Sequence, residues 1–368
     1  MFFTLNSHRL RYIYRNIWVY VYALIVVLGF YYIFSHYLHK EPDLALELGE
    51  VVAWNPRKED SCHFHTTNDS LPVLHPNASL PPKSIFFQDT TCRGVLTYRQ
   101  ACVVESAALT HPNHQINVLF TYPVLKDNFD NSAMKTLSDT YENVRFLRVH
   151  INDYVMGTPM SHTVAALSDD ELNLHIAKVM TYLTLYKYTG IYLGLDVIVG
   201  ETLAELWQNW IVRETPDSLS SSMFSFSNNK AGRMLAEVVM GFLRSELSLN
   251  KELDSWSYSG ATILTRAMQL WCTTDKVRGM SLSTCDDVAV YGPELFYPIS
   301  FYKRKEYFDA VNWDRWKNEK IYTFHVWEYV TRYNLVTEHS LYSKLAENYC
   351  PEIYSTHHDD IVTNLNPK

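Results

Sequence analysis

Residues 185–199, LYKYTGIYLGLDVIV, combine residue types that suit the binding of an anionic ligand. A helix pattern ends in this stretch, a turn is signalled at Thr189 and Gly190, and an apolar run then leads into Asp196. A carboxylate in an apolar strand costs several kcal/mol unless it is paired or bound to a cation. Asp196 therefore needs a partner. Two kinds fit: a divalent metal that bridges a diphosphate, or a neighbouring arginine or set of backbone donors.

The elements around this stretch alternate between strands and helices. Strands are predicted at 84–88, 116–122, 144–149 and 191–199, and helices at 98–110, 130–139 and 169–188. This alternation predicts a parallel or mostly parallel sheet covered by helices on both faces. In such sheets ligands bind beyond the carboxyl ends of the strands.

The overall charge bears on the class of partner. The formal net charge is -8, so the chain has no basic surplus to offset a phosphate backbone, and the composition disfavours nucleic acid as a partner. Aromatic residues make up 14% of the chain, including 26 Tyr and 9 Trp. Such rings suit the faces of sugars, and they equally suit an aromatic-rich core.

The N-terminal region predicts a membrane anchor. Residues 17–34 contain no charged residue, and a bilayer needs about 20 apolar residues to be crossed. Arg9, Arg11 and Arg15 precede this run, and acidic residues follow it, so the N-terminus is expected to stay cytoplasmic. We predict a cytoplasmic tail at 1–16 and a transmembrane anchor at 17–38. A cleaved signal peptide is the alternative.

The segment after the anchor resembles a stem. Residues 39–82 hold six of the fourteen prolines and show no sustained periodicity, as in extended spacers. Asn68 and Asn77 begin glycosylation sequons there. The sequence thus predicts a stem at 39–82 and a lumenal domain at 83–368.

The cysteines agree with an oxidising compartment. All six follow the anchor, and no CxxC pair supports a zinc site. Cys272 and Cys285 flank a short polar segment, and a disulfide is predicted between them. A second predicted pair is Cys92 with Cys102.

Residues 83–351 resemble the α-1,4-glycosyltransferases, the family of globotriaosylceramide synthase and the α-1,4-N-acetylglucosaminyltransferases. Residues 188–196 (YTGIYLGLD) are similar to the family motif YGGIYLDxD. Further matching segments, in family order, are 85–87 (IFF), 102–112 (CVVESAALTHP), 265–266 (TR), 271–272 (WC), 296–299 (FYPI), 305–308 (KEYF), 325–327 (HVW) and 349–351 (YCP). The likeness is greatest to insect-type members, which are thought to act on glycolipids.

The resemblance implies a Rossmann-like nucleotide-sugar domain of the GT-A type, lumenal in the Golgi on a single-pass type II anchor. It implies a retaining hexosyltransferase that moves galactose or N-acetylgalactosamine from a UDP-sugar, in α-1,4 linkage, to a glycosphingolipid-type acceptor. Asp196, Tyr192 and His325 would bind the donor, with a Mn²⁺ ion held by Asp196 and His325. A hydrogen-bonded core histidine is the alternative for His325.

Several departures from the family pattern fall where chemistry is expected. Gly194 stands for the first Asp of DxD, and Thr189 stands for the first glycine of the turn. Other positions depart as well: the SDxxR pattern reads Ala177, Lys178 and Thr181, NG reads Ser220-Ser221, GHxGP reads SYSGA at 257–261, and HVWN ends in Glu328. The alternative is a catalytically weak or inactive pseudo-glycosyltransferase that binds a sugar, a lipid or a partner glycosyltransferase.

Overall fold

The computed structural model describes residues 62–65, 69–249 and 260–362. The predicted tail, the anchor at 17–38, most of the stem and Asn68 lie outside these residues. Within the described part, no helix has the length and apolar character that crossing a bilayer requires. The topology prediction therefore stays a prediction.

A seven-stranded sheet forms the centre of the domain. In chain order the strands are β1 (Ser84–Asp89), β2 (Gln115–Phe120), β3 (Val144–Arg148), β4 (Gly190–Leu193), β5 (Val197–Val199), β6 (Trp210–Thr215), β7 (Ser218–Phe226), β8 (Ala289–Tyr291) and β9 (Thr323–His325). The large sheet has the order β3-β2-β1-β4-β7-β6-β8, and β5 pairs with β9 in a separate antiparallel sheet. β7 alone runs against its neighbours in the large sheet, so the mostly parallel α/β sheet is confirmed.

Helices cover both faces of this sheet. They are α1 (Tyr98–Thr110), α2 (Lys126–Asp130), α3 (Ala133–Thr140), α4 (Ile151–Val155), α5 (Ser161–Ala165), α6 (Asp169–Tyr188), α7 (Lys230–Leu249), α8 (Gly260–Trp271), α9 (Glu328–Thr331), α10 (Leu341–Tyr349), α11 (Pro351–Thr356) and α12 (His358–Ile361). Buried apolar side chains form one cluster on each face, and β1 contributes to both: Ile85 and Phe87 pack in one, Phe86 in the other. Burial on both faces explains why these strands read as continuous apolar runs.

The single strand predicted at 191–199 is wrong. β4 ends at Leu193, the chain turns through Gly194 and Asp196, and β5 begins at Val197 in the second sheet. The turn is fixed by the Gly194 N–H, which donates to the Ser222 carbonyl at 2.7 Å. Both halves are buried and apolar, so hydrophobicity alone gives no sign that the strand partner changes.

Gly190 starts β4 in a conformation that few other residues could adopt. Its φ is +111°, and a Cβ there would lie 2.5 Å from the Ser84 carbonyl oxygen. The preceding Thr189 also has a positive φ, of 57°, which is unfavourable for a β-branched residue. Gly190, the second glycine of the motif's turn, is thus required because the Ser84 backbone lies close to it. Thr189 replaces the first glycine and adopts a strained backbone conformation.

The helix predicted at 130–139 is two helices. α2 ends at Asp130, and Ser132 caps α3 by accepting the Met134 N–H at 3.3 Å. Serine prefers the N-cap to the helix interior because its hydroxyl satisfies an otherwise unpaired N–H.

The packed domain begins before the predicted boundary at 83. Residues 69–74 lie along β3. Arg148 forms an ion pair with Asp69 at 2.8 Å; its N–H donates to the Pro72 carbonyl, and its carbonyl accepts the Leu74 N–H. Leu71 and Leu74 are buried. Part of the predicted stem is therefore docked rather than extended. Two isolated leucines among prolines give too short a pattern to predict burial.

The disulfides differ in part from expectation. The predicted Cys272–Cys285 bond is present, with the Cα atoms 4.2 Å apart. The predicted Cys92–Cys102 pair is wrong, because Cys92 bonds Cys62 and Cys102 bonds Cys350. Cys102 is buried in α1 against the C-terminal helices, so the fold and not nearness in sequence decides its partner.

Candidate functional site

A cleft of about 400 Å³ opens at the carboxyl ends of β1 and β4. β2 and β3 follow β1 on one side and β4 lies on the other, so the strand order reverses here. Ligands of open α/β sheets bind at such a reversal. The cleft is lined by Thr90, Thr91, Ala177, Lys178, Thr181, Tyr182, Tyr192, Gly194, Leu195, Asp196, Ser221, Ser222, Gly260, Glu328, Tyr329 and Arg332.

Most of the departures noted in the sequence meet in this cleft. Ala177 and Lys178 lie four and three residues before Thr181 on α6, so they share its face of the helix. Gly194 and Glu328 line the same space from the turn after β4 and from the start of α9. Positions scattered along the chain have thus changed within one site.

Asp196 lies at the centre of the cleft, with 22% of its side chain exposed. Its Oδ1 is 3.4 Å from His325 Nε2, and its Oδ2 accepts the Glu328 N–H at 3.2 Å. The β5–β9 register pairs Val197 with His325, which fixes this approach. Asp196 therefore has two protein partners, the His325 imidazole and the Glu328 N–H. Because these contacts can stabilise the carboxylate without a cation, its role as a metal ligand stays a prediction.

His325 is enclosed by aromatic rings. Its ring centroid is 3.9 Å from that of Trp327 and 5.5 Å from that of Tyr297, and its Nε2 is 3.1 Å from Ser222 Oγ. Burial lowers the pKa of His325, and the Asp196 charge opposes that shift. The imidazole is therefore neutral at neutral pH. Trp327 has a φ of 56°, so the backbone turns sharply between His325 and Glu328.

Tyr192, also predicted to bind the donor, lines the cleft from β4. Its ring packs on Phe224 at 5.5 Å, and its hydroxyl hydrogen-bonds with Thr181. Burial raises the pKa of Tyr192 to about 12, so its hydroxyl stays protonated. The structure thus brings the three predicted residues to one site.

Two carboxyl groups lie near Asp196: Glu214, which the sequence reasoning missed, and Glu328, which it noted only as a departure from the family pattern. Burial, and to a lesser degree the Asp196 charge, raises the pKa of Glu214 to about 7. Burial followed by Asp196 raises the pKa of Glu328, while Arg93, Arg332 and Arg99 oppose that shift. Glu214 lies on β6 in an ordinary strand pattern, and no sequence signal singles it out.

Other cleft residues were missed for different reasons. Thr90 and Thr91 follow the end of β1, a position that the parallel-sheet rule marks for ligand contact. Tyr329 lies in α9 and Arg332 directly follows it, and this helix is too short to give a periodic signal.

The donor set does not fit the two-carboxylate metal clamp that the family motif implies. Gly194 contributes no ligand, and a Cβ there would lie 2.9 Å from Asp196 Oδ1. Over the described ranges, no third His, Cys, Asp or Glu converges on Asp196 and His325; the one group that converges is Cys62, His63 and Cys92, whose cysteines form a disulfide. Asp196 and His325 therefore offer two ligand atoms at most, Asp196 Oδ1 and one imidazole nitrogen. The other carboxylate oxygen, Asp196 Oδ2, already accepts the Glu328 N–H.

The fold and the cleft define the class as an α/β protein with a ligand site at the strand reversal. Comparison with family models then gives two matches. The alpha 1,4-glycosyltransferase conserved region matches residues 235–357, and the glycosyltransferase sugar-binding region containing DXD motif matches residues 97–216. Both matches agree with the predicted resemblance to the α-1,4-glycosyltransferases.

Relatives of known activity are similar over most of the chain. The human lactosylceramide 4-alpha-galactosyltransferase is 27% identical over 290 residues, covering 76% of this chain and 79% of its own length. The human alpha-1,4-N-acetylglucosaminyltransferase is 24% identical over 284 residues, covering 74% and 80%. Among solved structures, the galactosyltransferase LgtC bound to donor and acceptor sugar analogs is 14% identical, with a TM-score of 0.39 over 77% of this chain and 97% of its own.

Proposed function

We propose that this chain is a retaining α-1,4-hexosyltransferase of the GT-A type. It moves galactose or N-acetylgalactosamine from a UDP-sugar to a glycosphingolipid-type acceptor. The carrying observation is the cleft at the β1–β4 reversal, which Tyr192 and Asp196 line, with His325 buried 3.4 Å from Asp196. The names of the human relatives, a lactosylceramide galactosyltransferase among them, support the linkage and the acceptor class.

The cleft residues have separate tasks in this proposal. Hydroxyl groups of Thr90 and Ser221 donate hydrogen bonds to the donor. The half-exposed ring of Tyr329 at the rim offers an apolar face of the kind that packs on sugars. Asp196 holds the Glu328 N–H and thereby positions the turn that completes the cleft. Negative charge develops on the leaving diphosphate and must be met by positive groups in the site.

The test is an acceptor screen with the full-length chain in detergent and radiolabelled UDP-sugars, with and without Mn²⁺. We expect transfer to a galactose-terminated glycolipid, reduced roughly 100-fold by Asp196→Ala. The melting temperature of that variant is measured in parallel, because losing the acceptor of the Glu328 N–H costs about 1–3 kcal/mol of stability. Lys126→Gln, on the exposed start of α2, is the control and should transfer normally.

The absence of a carboxylate at Gly194 favours a second candidate, a pseudo-glycosyltransferase that binds sugar, lipid or a partner transferase without turnover. Both candidates bind a ligand in the cleft, and turnover separates them. UDP binding without transfer to any acceptor would reject the enzyme and favour the second candidate. Failure to bind UDP under any condition would reject nucleotide-sugar binding itself.

We also propose that the chain is a Golgi type II membrane protein with the described domain in the lumen. Asn77 supports this topology because it lies exposed in a turn, where a glycan can be attached. Endoglycosidase treatment should shift the mobility of the wild type but not that of the Asn68→Gln, Asn77→Gln double variant. A wild-type chain that never shifts would count against the lumenal placement.

A further inference from the structure

We propose that Lys178 and Arg332 neutralise the diphosphate of the nucleotide-sugar, so that the chain binds UDP without a divalent cation. The inference rests on the proposed function, because it names the charge partners of that same cleft. Two observations support it: the anionic clamp that the family motif implies is incomplete, and two cationic side chains line the cleft.

The anionic half of a metal site is reduced here. Gly194 removes one carboxylate, and Asp196 Oδ2 is held by the Glu328 N–H at 3.2 Å. The Asp196 carboxylate also lies close to that position, since a Cβ at 194 would be 2.9 Å from Asp196 Oδ1. A divalent ion would find one carboxylate and one imidazole, and one oxygen of that carboxylate already accepts a backbone hydrogen bond.

Lys178 brings a positive charge to the α6 wall. Thr181 and Tyr182, three and four residues on, line the same cleft, so the Lys178 side chain shares the face that meets the ligand. Its counter-charge is Glu246, which also pairs with Arg266 at 3.9 Å and is therefore divided between two cations. An ammonium group on a flexible stem acts as a mobile point charge that can reach a phosphate oxygen.

Arg332 brings the second charge from the segment after α9. Its Nε donates to the Tyr329 carbonyl at 3.1 Å, and its guanidinium lies 4.9 Å from the centre of the Tyr329 ring. These contacts orient the planar group, and its terminal nitrogens have the fork geometry that binds two phosphate oxygens. The charge of Glu328 faces Arg93 and Arg99 as well as Arg332, so it does not neutralise Arg332 alone.

UDP titration calorimetry of the full-length chain in detergent tests the inference, in EDTA and again in Mn²⁺. We expect the wild-type dissociation constants in the two buffers to agree within about threefold, since the binding charges belong to the protein. In EDTA, Lys178→Gln and Arg332→Gln should each weaken UDP binding about 10-fold, the loss of one charge-assisted contact. Lys178→Arg keeps the charge and should bind nearly as the wild type does.

Lys126→Gln is the matched control, because it removes the same charge from an exposed position outside the cleft. Melting temperatures of all variants show whether each is folded. Wild-type binding that appears only with Mn²⁺ would overturn the inference and leave the proposed function intact. Binding that is insensitive to EDTA and to both glutamine variants would overturn the assignment of these two residues. No UDP binding in either buffer would instead reject the proposed function.

Discussion

The double change Gly194→Asp, Thr181→Arg is expected to make donor handling depend on Mn²⁺. The introduced carboxylate would join Asp196 and His325 to restore a two-carboxylate clamp, and the introduced guanidinium would add a fixed donor beside Lys178. We expect Mn²⁺-stimulated UDP-sugar hydrolysis to rise roughly 100-fold over the wild type, the effect of one well-placed electrostatic group. Contributions within one site need not add, so the double change is compared with each single change. Hydrolysis with and without Mn²⁺ is the measurement.

The backbone at Gly194 can accept the new side chain. Its φ is not in the left-handed region, and the close atom is Asp196 Oδ1, at the far end of a side chain that can turn. Gly194→Asn is the control, because it has nearly the same shape without the charge and should not confer Mn²⁺ dependence. A wild type that turns over rapidly, and that the double change slows, would show that the altered site is a rebuilt catalyst rather than a weakened one.

Removing the Cys102–Cys350 disulfide is expected to cause the largest loss of stability. The bond joins residues 248 apart in sequence, and both cysteines are fully buried. In the chain-entropy model, closing a loop of that length lowers the free energy of the folded state relative to the unfolded one by about 5 kcal/mol. Cys102→Ser, Cys350→Ser should therefore lower the melting temperature strongly, and reduce the secreted or membrane-inserted yield.

Cys272→Ser, Cys285→Ser provides the comparison. That loop spans only 13 residues, so the same model gives about 3 kcal/mol. The C-terminal helices should loosen only in the long-loop variant, because Cys350 directly precedes α11 and ties it to α1. The Glu352 and Ile353 N–H groups of α11 donate to Glu105 of α1 at 2.8 Å, and these contacts should weaken with the disulfide. Hydrogen exchange at α11 reports this directly. Equal losses in melting temperature for the two pairs would contradict loop length as the cause.

Local signals determined much of the fold. α1 and α6 have the limits predicted from the sequence, and in the structure each begins at a capping box, Thr97 with Gln100 and Ser168 with Glu171. A capping box satisfies N–H groups with side chains three residues away, so the sequence itself contains all of the interacting groups. The alternation of strands and helices likewise predicted a covered, mostly parallel sheet, and the ordered motifs predicted the family.

Only the tertiary structure decided how the site is assembled. The pairing of β5 with β9 places His325 against Asp196, and it also ends the strand that the apolar run predicted as continuous. Arg332 lines the same cleft from a distant segment of the chain, and Cys102 bonds Cys350, 248 residues away in sequence. Strand and disulfide partners are chosen by packing between segments distant in sequence, because one buried apolar strand offers the same hydrogen bonds and surface to many neighbours. The sequence by itself therefore identified most of the residues that could take part in the site, whereas the contacts that assemble them into a cleft were decided by the tertiary structure.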